Sequence, residues 1–270
     1  MKQEKTGRET DMYQIKVDPH THTIASGHAF STIGENAMEA RGKGLEGIGR
    51  TDHFGPMANP VGNDGRPNLG PLFNIAALPK VVHGVRVLAG CEIDIIDFKG
   101  NLAFHDFRMP FGPDKDKGLS LGEVILRNRD IAIASLHMFP GCMDGTQTQY
   151  TEMYLGAIRN PYIDIIGHPC RPGVPFDMDE IVRAAKEEHT FLEINDHTFD
   201  TPAATDNCRK LAIKCAEEGV HIVVSSDAHS AFFVGEFGRA AAMLEEIHFP
   251  QELIANESLE KMARLRGRAY

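Results

Sequence analysis

The sequence lacks the features that would place this protein in a membrane or in an oxidising compartment. No stretch approaches the ~20 consecutive apolar residues of a transmembrane helix. The N-terminal segment has no apolar stretch of the kind a signal peptide carries. The 5 cysteines are odd in number and form no Cys-x-x-Cys pair, which argues against a disulfide framework and a thiolate zinc site. We therefore expect a cytoplasmic protein without membrane contact.

Positive charge is also scarce. The chain has 28 Lys and Arg against 38 Asp and Glu, a formal net charge of −10. A surface of this sign disfavours the coating of nucleic acid. There is no Gly-rich dinucleotide signature and no internal repeat. We therefore do not expect nucleic acid as the partner.

The length and the apolar pattern predict one α/β domain. The chain has 270 residues and is 42% hydrophobic, which fits a single barrel. We expect residues 1–12 to form a weakly ordered tail and residues 13–270 to form one domain, with an insertion around 99–129. Strand-like runs alternate with helix-like segments, which predicts a parallel sheet covered by helices and, with about seven units, a nearly closed barrel. The runs are Tyr13–Asp18, Leu45–Arg50, Arg86–Cys91, Ile131–Leu136, Ile163–Gly167, Phe191–Asn195 and His221–Ser226.

Two of the helices can be delimited from their ends. Thr32 and Glu35 have the spacing of a capping box, so a helix should begin there. A later helix should run from Asn207 to Glu218, with Thr205 or Asp206 as its cap.

What the sequence does have is histidine, 13 in all, and many lie where strands should end. Every strand-like run is followed by His, Asp or Glu: His20 and His22, Asp52 and His53, Glu92 and Asp94, His137, His168, Glu193 and Asp196, Asp227 and His229. In a parallel barrel the carboxyl ends of the strands meet around one site. Imidazole and carboxylate donors suit Zn²⁺, Mn²⁺ or Fe²⁺, so the pattern predicts a metal centre.

The order of these motifs resembles the PHP family, the polymerase and histidinol phosphatase family. The motifs are Asp-Pro-His-Thr-His at 18–22, Thr-Asp-His at 51–53, Glu92, Leu-His at 136–137, Gly-His-Pro at 167–169 and Ser-Asp-Ala-His at 226–229. The resemblance covers roughly residues 13–250 and is closest to the YcdX-like branch of phosphatases. It implies a distorted (β/α)7 barrel with a trinuclear metal centre.

The resemblance also implies which residues bind metal. Each of the family's ligands has a counterpart here, in three groups: His20, His22, Glu92 and Asp227; His137 and His168, which share Glu92; and His28, His53 and His229. We expect three divalent ions, with Zn²⁺ ahead of Mn²⁺ and Fe²⁺. Asp18 and Asp52 are expected to orient neighbouring histidines.

This centre predicts a phosphatase that hydrolyses a small-molecule phosphate monoester. Two ions that share Glu92 would acidify a bridging water and give a metal-bridging hydroxide near neutral pH. Asp227 and His229 are the candidates for assisting the leaving group.

Three further residues are candidates for substrate contact. Arg171 follows His168-Pro169-Cys170 and could bind phosphate, and Asn195 ends a strand-like run. Arg50 stands where the family usually has an apolar residue, so it could alter the pocket.

Two alternatives remain open from the sequence alone. One is an amidohydrolase-like C–N or C–O hydrolase, disfavoured because no lysine lies at a strand end to act as a carbamylated bridge. The other is a nucleic-acid phosphodiesterase, disfavoured by the net charge of −10 and the lack of an attached polymerase domain. The sequence leaves homo-oligomerisation open.

Overall fold

The computed structural model of the protein describes residues 13–63, 67–108 and 118–267, so the expected tail over residues 1–12 lies outside it. The described residues form nine strands: β1 (Val17–Thr21), β2 (Gly47–Arg50), β3 (His53–Phe54), β4 (Val81–Val82), β5 (Val85–Asp94), β6 (Ile131–Ser135), β7 (Ile165–Gly167), β8 (Phe191–Asn195) and β9 (Ile222–Ser225). Seven of them lie side by side in the order β1-β2-β5-β6-β7-β8-β9. Neighbours in this order are parallel, as the alternation of strands and helices predicts.

The two outer strands of this series approach each other and nearly close a barrel. Thr21 and Ala228 form a parallel bridge, and the His22 N–H donates to the Ala228 carbonyl at 2.8 Å. Below the bridge, the buried Asn256 side chain donates to the carbonyl oxygens of Val17 and Val224, at 2.7 and 2.6 Å. Its amide therefore satisfies backbone groups of both β1 and β9 that no strand partner reaches.

Seven α-helices of the described ranges surround the sheet: α1 (Ile33–Gly42), α2 (Leu121–Leu126), α3 (Gln147–Ile158), α4 (Met178–Glu187), α5 (Pro202–Glu218), α6 (Gly238–Glu246) and α7 (Leu259–Leu265). The capping box of Thr32 and Glu35 opens α1 as expected. The predicted start of α5 is wrong: the helix begins at Pro202, with Thr201 as its N-cap. Proline is favoured at the first helical position because its missing N–H is not needed there. Among the described helices, none has both the length and the apolar character required to cross a membrane.

Two strands differ from the predicted runs in a way that matters for the site. β1 begins later than expected and includes His20, and β5 continues past Cys91 to Asp94. β5 continues because it gains a partner on each side: His53 of β3 pairs with Glu92, and Ser135 of β6 pairs with Asp94. These tertiary contacts outweigh the poor strand propensity of acidic residues.

The segment around residues 99–129 packs as part of the barrel in its described portions. Leu102, Leu121 and Ile125 are buried in the main core with the outer faces of the strands. Ser120 and Glu123 form a capping box that opens α2. Residues 109–117 of this expected insertion lie outside the described part of the chain.

A second apolar cluster fills one end of the barrel interior. It joins buried side chains of the parallel strands, among them Leu88, Ile133 and Phe191, to Met262 of α7. This packing closes the end of the barrel where the strands begin. The opposite end, where the strands finish, is left for the polar side chains.

Candidate metal centre

Four side-chain atoms converge at the carboxyl end of the barrel. His20 Nε2 lies 3.1 Å from His22 Nε2, and 3.4 Å from both Glu92 Oε2 and Asp227 Oδ1. His22 Nε2 lies 3.5 Å from Glu92 Oε2 and 3.0 Å from Asp227 Oδ1. Tetrahedral ligands at about 2.0–2.2 Å from a zinc ion stand roughly 3.3–3.5 Å apart, so this donor set has the dimensions of a metal site.

The hydrogen bonding of these atoms fits the same conclusion. Glu92 Oε2 and Asp227 Oδ1 are buried, and the imidazole nitrogens closest to them, His53 Nδ1 at 2.9 Å and His22 Nε2 at 3.0 Å, are not aligned as hydrogen-bond donors. A buried carboxylate oxygen without a donor is costly unless a cation compensates its charge. Burial opposes ionisation of both acids, but nearby histidines, foremost His137 and His20 for Glu92 and His20 for Asp227, hold both pKa values well below the usual range. The site therefore presents ionised carboxylates to whatever cation it holds.

The pKa values of the two histidines of this cluster are shifted in opposite directions. Burial alone would lower the pKa of His20, but Glu193, Asp227 and Glu92 raise it well above its ordinary value. Burial lowers the pKa of His22 to about 3, so this ring is neutral. A neutral imidazole offers a lone pair, which is what metal coordination requires.

The other oxygen of Glu92 faces a second pair of histidines. Glu92 Oε1 lies 3.2 Å from His137 Nε2 and 2.9 Å from His168 Nε2. Burial lowers the pKa of His137, but Glu92 and Asp94 outweigh it and raise the pKa to about 10. Glu92 thus touches two groups of donors with its two oxygens, the arrangement expected of a bridging carboxylate.

A third group of histidines lies nearer the surface. The rings of His28 and His53 stack at 4.9 Å, and His28 lies 4.6 Å from the ring of His229. Donor atoms of His22, His53 and His229 form one of the clusters that could hold an ion. His28 is exposed, and its donor atoms join none of the clusters found among the described residues. The structure therefore brings eight of the expected ligands into donor clusters and leaves His28 beside them.

Three polar groups fix the orientation of the ligand rings. Glu193 Oε1 accepts from His20 Nδ1 at 2.7 Å, and Asp94 Oδ1 accepts from His137 Nδ1 at 2.8 Å. Ser26 Oγ lies 2.9 Å from His22 Nδ1. With Nδ1 occupied, each ring turns its Nε2 towards the donor cluster, as in metal sites generally.

These roles of Glu193, Asp94 and Ser26 were not predicted. Glu193 and Asp94 do follow strands, which was the available signal, but that position does not distinguish a ligand from its support. Gly55 makes room for Asp94, because a Cβ at this position would lie 1.7 Å from Asp94 Oδ2.

Asp52 and Asp18 differ in how they support the histidines. Asp52 Oδ1 accepts from Ser26 Oγ at 2.7 Å, so it acts on His22 through that hydroxyl. Asp18 accepts from the backbone N–H groups of Ser226 and Gly235, at 3.2 and 2.8 Å, and contacts no imidazole nitrogen in the hydrogen bonds of the described residues. It stabilises the loop that carries Asp227.

A cavity of about 700 Å³ opens above the donors, and the guanidinium of Arg171 is part of its lining. Arg171 Nη2 donates to Asn195 Oδ1 and to Asp227 Oδ2, both at 2.6 Å. Asn195 is fully buried and does not line this cavity, so it acts through Arg171. Arg50 is 3% exposed, lies outside the lining, and pairs with Asp52 Oδ2 at 2.6 Å.

Two residues at the centre have strained backbones. His168 has φ of +27° and Asp227 has φ of +53°. Non-glycine residues avoid this region unless the surrounding structure requires it, and such strain concentrates at functional sites.

Known proteins place this site in a family. No family model matches the chain. A probable phosphatase of Acetivibrio thermocellus is 41% identical over 247 residues, which are 91% of this chain and 92% of that protein. A probable phosphatase of Clostridium novyi is 37% identical over 248 residues, with the same coverage of 91% and 92%. This chain belongs to that family of probable phosphatases.

A solved structure shows the same fold at lower identity. The histidinol phosphate phosphatase of Lactococcus lactis, crystallised with zinc, L-histidinol and phosphate, superposes with a TM-score of 0.58 at 21% identity. The alignment covers 87% of this chain and 94% of that one. The predicted α/β barrel is confirmed, and the relatives confirm the predicted enzyme class as a phosphatase, a hydrolase of phosphoric esters.

Proposed function

We propose that this phosphatase hydrolyses small-molecule phosphate monoesters at a trinuclear metal centre and belongs to the YcdX-like branch of the PHP family. One observation carries the proposal: four donor atoms from His20, His22, Glu92 and Asp227 stand 3.0–3.5 Å apart beneath a cavity lined by Arg171. We likewise propose that residues 13–270 form a single barrel domain.

The donor sets suggest how three divalent ions would be held. His20, His22, Glu92 and Asp227 would hold the first; His137, His168 and Glu92 the second; His28, His53 and His229 the third. Nitrogen and carboxylate donors in these numbers favour Zn²⁺, with Mn²⁺ and Fe²⁺ also compatible. When bound, such ions supply Lewis acidity and acidify water.

The chain's own residues then bind and orient the ester. The side chain of Arg171 is 32% exposed and can donate to phosphate oxygens from the cavity wall. Its Nη2 is already held by Asn195 and Asp227, so the guanidinium is oriented before substrate arrives. Asp227 connects the two functions, because Oδ1 faces the donors and Oδ2 faces Arg171.

His229 and Asp227 are the two candidates for assisting the leaving group. Burial lowers the pKa of His229, and the pKa of Asp227 lies well below its usual range. Both groups are therefore deprotonated near neutral pH and serve as ligands first. His229 also lines the cavity, with its ring Nδ1 turned to the Asp227 carbonyl at 2.9 Å. We assign to His229, Glu92 and Asp227 the support of the reaction as ligands, and to water the proton for the leaving oxygen, because neither ring nitrogen of a coordinated His229 is free to transfer one.

The proposal is tested by assaying metal-loaded protein against p-nitrophenyl phosphate, bis-p-nitrophenyl phosphate and a panel of amides. We expect turnover of the monoester well above that of the diester, and no amide hydrolysis. Amide turnover without ester turnover, or a preference for the diester, would refute the assignment.

The ligand set is tested separately by His137→Ala. This variant should lose phosphatase activity and lower the bound metal by about one equivalent, because a donor of the second ion is removed. His105→Ala, an exposed histidine outside the cavity, is the matched control. Unchanged metal content in His137→Ala would remove His137 from the ligands.

A further inference from the structure

The cavity above the candidate metal centre is lined by two unlike groups of side chains, here called walls. One wall carries the histidines, Asp227 and Arg171. The other, here called the apolar wall, is formed by Met57, Ala58, Leu136, Met138 and Pro172. A phosphate bound at the polar wall would have its ester oxygen near the ions and the rest of the alcohol free to lie against the apolar wall.

Two polar side chains of the lining already have a partner. Asp94 Oδ1 accepts from His137 Nδ1 at 2.8 Å. Ser26 Oγ donates to Asp52 at 2.7 Å and lies 2.9 Å from His22 Nδ1. The side chains of the apolar wall themselves offer no hydrogen-bond partner to a hydroxyl or a charge on the alcohol, so removing water from such a group against them is unfavourable.

The methionines of the apolar wall are unusually exposed for apolar side chains. Met57 is 75% exposed and Met138 is 67% exposed. Methionine is flexible and polarisable, so it can pack against apolar groups of different shapes. Covering these side chains with an apolar alcohol would remove their surface from water.

A smaller cavity of about 280 Å³ lies on the other side of Arg171 and has a different character. Its own lining comprises His197, Thr198, Asp200 and Thr201, here called the polar compartment. Polyols or cationic alcohols would find partners in this compartment. The position of the alcohol, apolar wall or polar compartment, therefore decides the substrate class.

We infer that the preferred substrates are phosphate monoesters of uncharged, mainly apolar alcohols, with the alcohol lying against the apolar wall. This inference rests on the proposed phosphomonoesterase function. The volume of the larger cavity favours the apolar wall, because it accommodates a chain of several carbons. The apolar side chains of its lining favour the same position for the alcohol.

A series of alkyl phosphates tests the inference. Ethyl, propyl, butyl and pentyl phosphate have nearly equal leaving groups, so differences in kcat/KM report binding of the chain. We expect kcat/KM to rise about two- to fourfold for each added methylene, the gain typical of burying a CH₂ group. 4-Aminobutyl and 3-carboxypropyl phosphate, with a charge at the end of a similar chain, should be at least about tenfold poorer than pentyl phosphate.

Single substitutions test which side chains cause the rise of kcat/KM with chain length. Met138→Ser should flatten the chain-length slope, because it replaces an apolar contact with a hydroxyl. Met143→Ser is the matched control: Met143 is 62% exposed in the same connection between β6 and α3, and lies outside the cavity lining. Thr201→Val should leave the slope unchanged, because Thr201 belongs to the polar compartment.

The outcomes separate this inference from the proposed function. No hydrolysis of any alkyl or p-nitrophenyl phosphate would contradict the proposed function itself. Hydrolysis with a flat slope, with a preference for a charged alcohol, or with a slope altered by Thr201→Val but not by Met138→Ser would overturn the inference alone. A rising slope that only Met138→Ser flattens supports it.

Discussion

The inner and outer parts of the metal centre use the same kinds of side chain but hold them differently. The inner corner is His20, His22, Glu92 and Asp227, all buried. The outer corner is His28, His53 and His229, which are partly or largely exposed.

A contact distant in sequence holds His20 of the inner corner. Glu193 lies 173 residues from His20 along the chain and still accepts from its Nδ1 at 2.7 Å. The other oxygen of Glu193 accepts from the backbone N–H of His168 at 2.6 Å. One carboxylate of β8 thereby fixes residues that follow β7 and belong to β1.

Local contacts hold two of the three rings of the outer corner. His28 Nδ1 lies 3.1 Å from the Ser26 carbonyl, and His229 Nδ1 lies 2.9 Å from the Asp227 carbonyl. Each partner is only two residues away, so these rings move with their own loops, whereas His53 Nδ1 lies 2.9 Å from Glu92 Oε2. In the proposed trinuclear centre, the outer corner would therefore bind its ion less tightly and exchange it faster than the inner corner.

Among the variants that test this comparison, Glu193→Gln is expected to change metal affinity the most. If the glutamine oxygen keeps the bond from His168 N–H, its NH₂ group faces His20 Nδ1. The ring must then carry its proton on Nε2, which can no longer bind metal. We expect metal affinity to fall by about 10–100-fold, as for other supporting groups, measured by titration of the apoprotein.

Two controls separate positioning from a general loss of structure. The ¹⁵N shifts of His20 in the apoprotein should report a change of tautomer, which a merely structural defect would not produce. Glu187→Gln, on the exposed end of α4, should alter neither quantity. An unchanged tautomer together with unchanged affinity in Glu193→Gln would show that Glu193 does not position His20.

An intermediate effect is expected from His28→Ala. We propose His28 as a donor of the outer ion, and it is exposed and apart from the buried donor clusters, so its loss should release the outer ion and lower kcat by about tenfold, while the inner ions stay bound. The free energy of unfolding should be unchanged, because an exposed side chain contributes little to packing. Loss of every ion from this variant would show that the two corners are not independent.

The smallest effect is expected from Ser225→Ala. Ser225 Oγ donates to Glu193 Oε1 at 2.6 Å, but Glu193 keeps its contacts with His20 and His168 in the variant. Metal affinity should fall about fivefold or less, the effect of losing ~1 kcal/mol from one hydrogen bond. A loss as large as that of Glu193→Gln would mean that the hydroxyl, and not the carboxylate, controls the ring.

The clustering of the candidate ligands could be predicted because strands of a parallel barrel end at one place. His20, Glu92, His168 and Asp227 each end or follow a strand, and the structure brings them together. That reasoning needs only the position of each residue along its strand.

The supporting contacts could not be predicted in the same way. Glu193 and Glu92 are both acidic residues of barrel strands, and only the three-dimensional arrangement shows that Glu193 faces ring nitrogens and Glu92 faces the donor cluster. Nothing in the sequence indicates the positive φ angles of His168 and Asp227 either, since neither residue is glycine. Arg50 was expected at the substrate, but Asp52 pairs with it in a buried position that the sequence does not reveal.

The number and release order of bound ions test the account most directly. The protein saturated with zinc is analysed for metal per chain and then exposed to a chelator, with metal release and phosphatase activity followed over time. We predict three ions per chain, one released quickly and two slowly, with His28→Ala lacking the fast fraction. Fewer than three ions at saturation, or release of all ions in one phase, would contradict the trinuclear centre and its division into inner and outer corners.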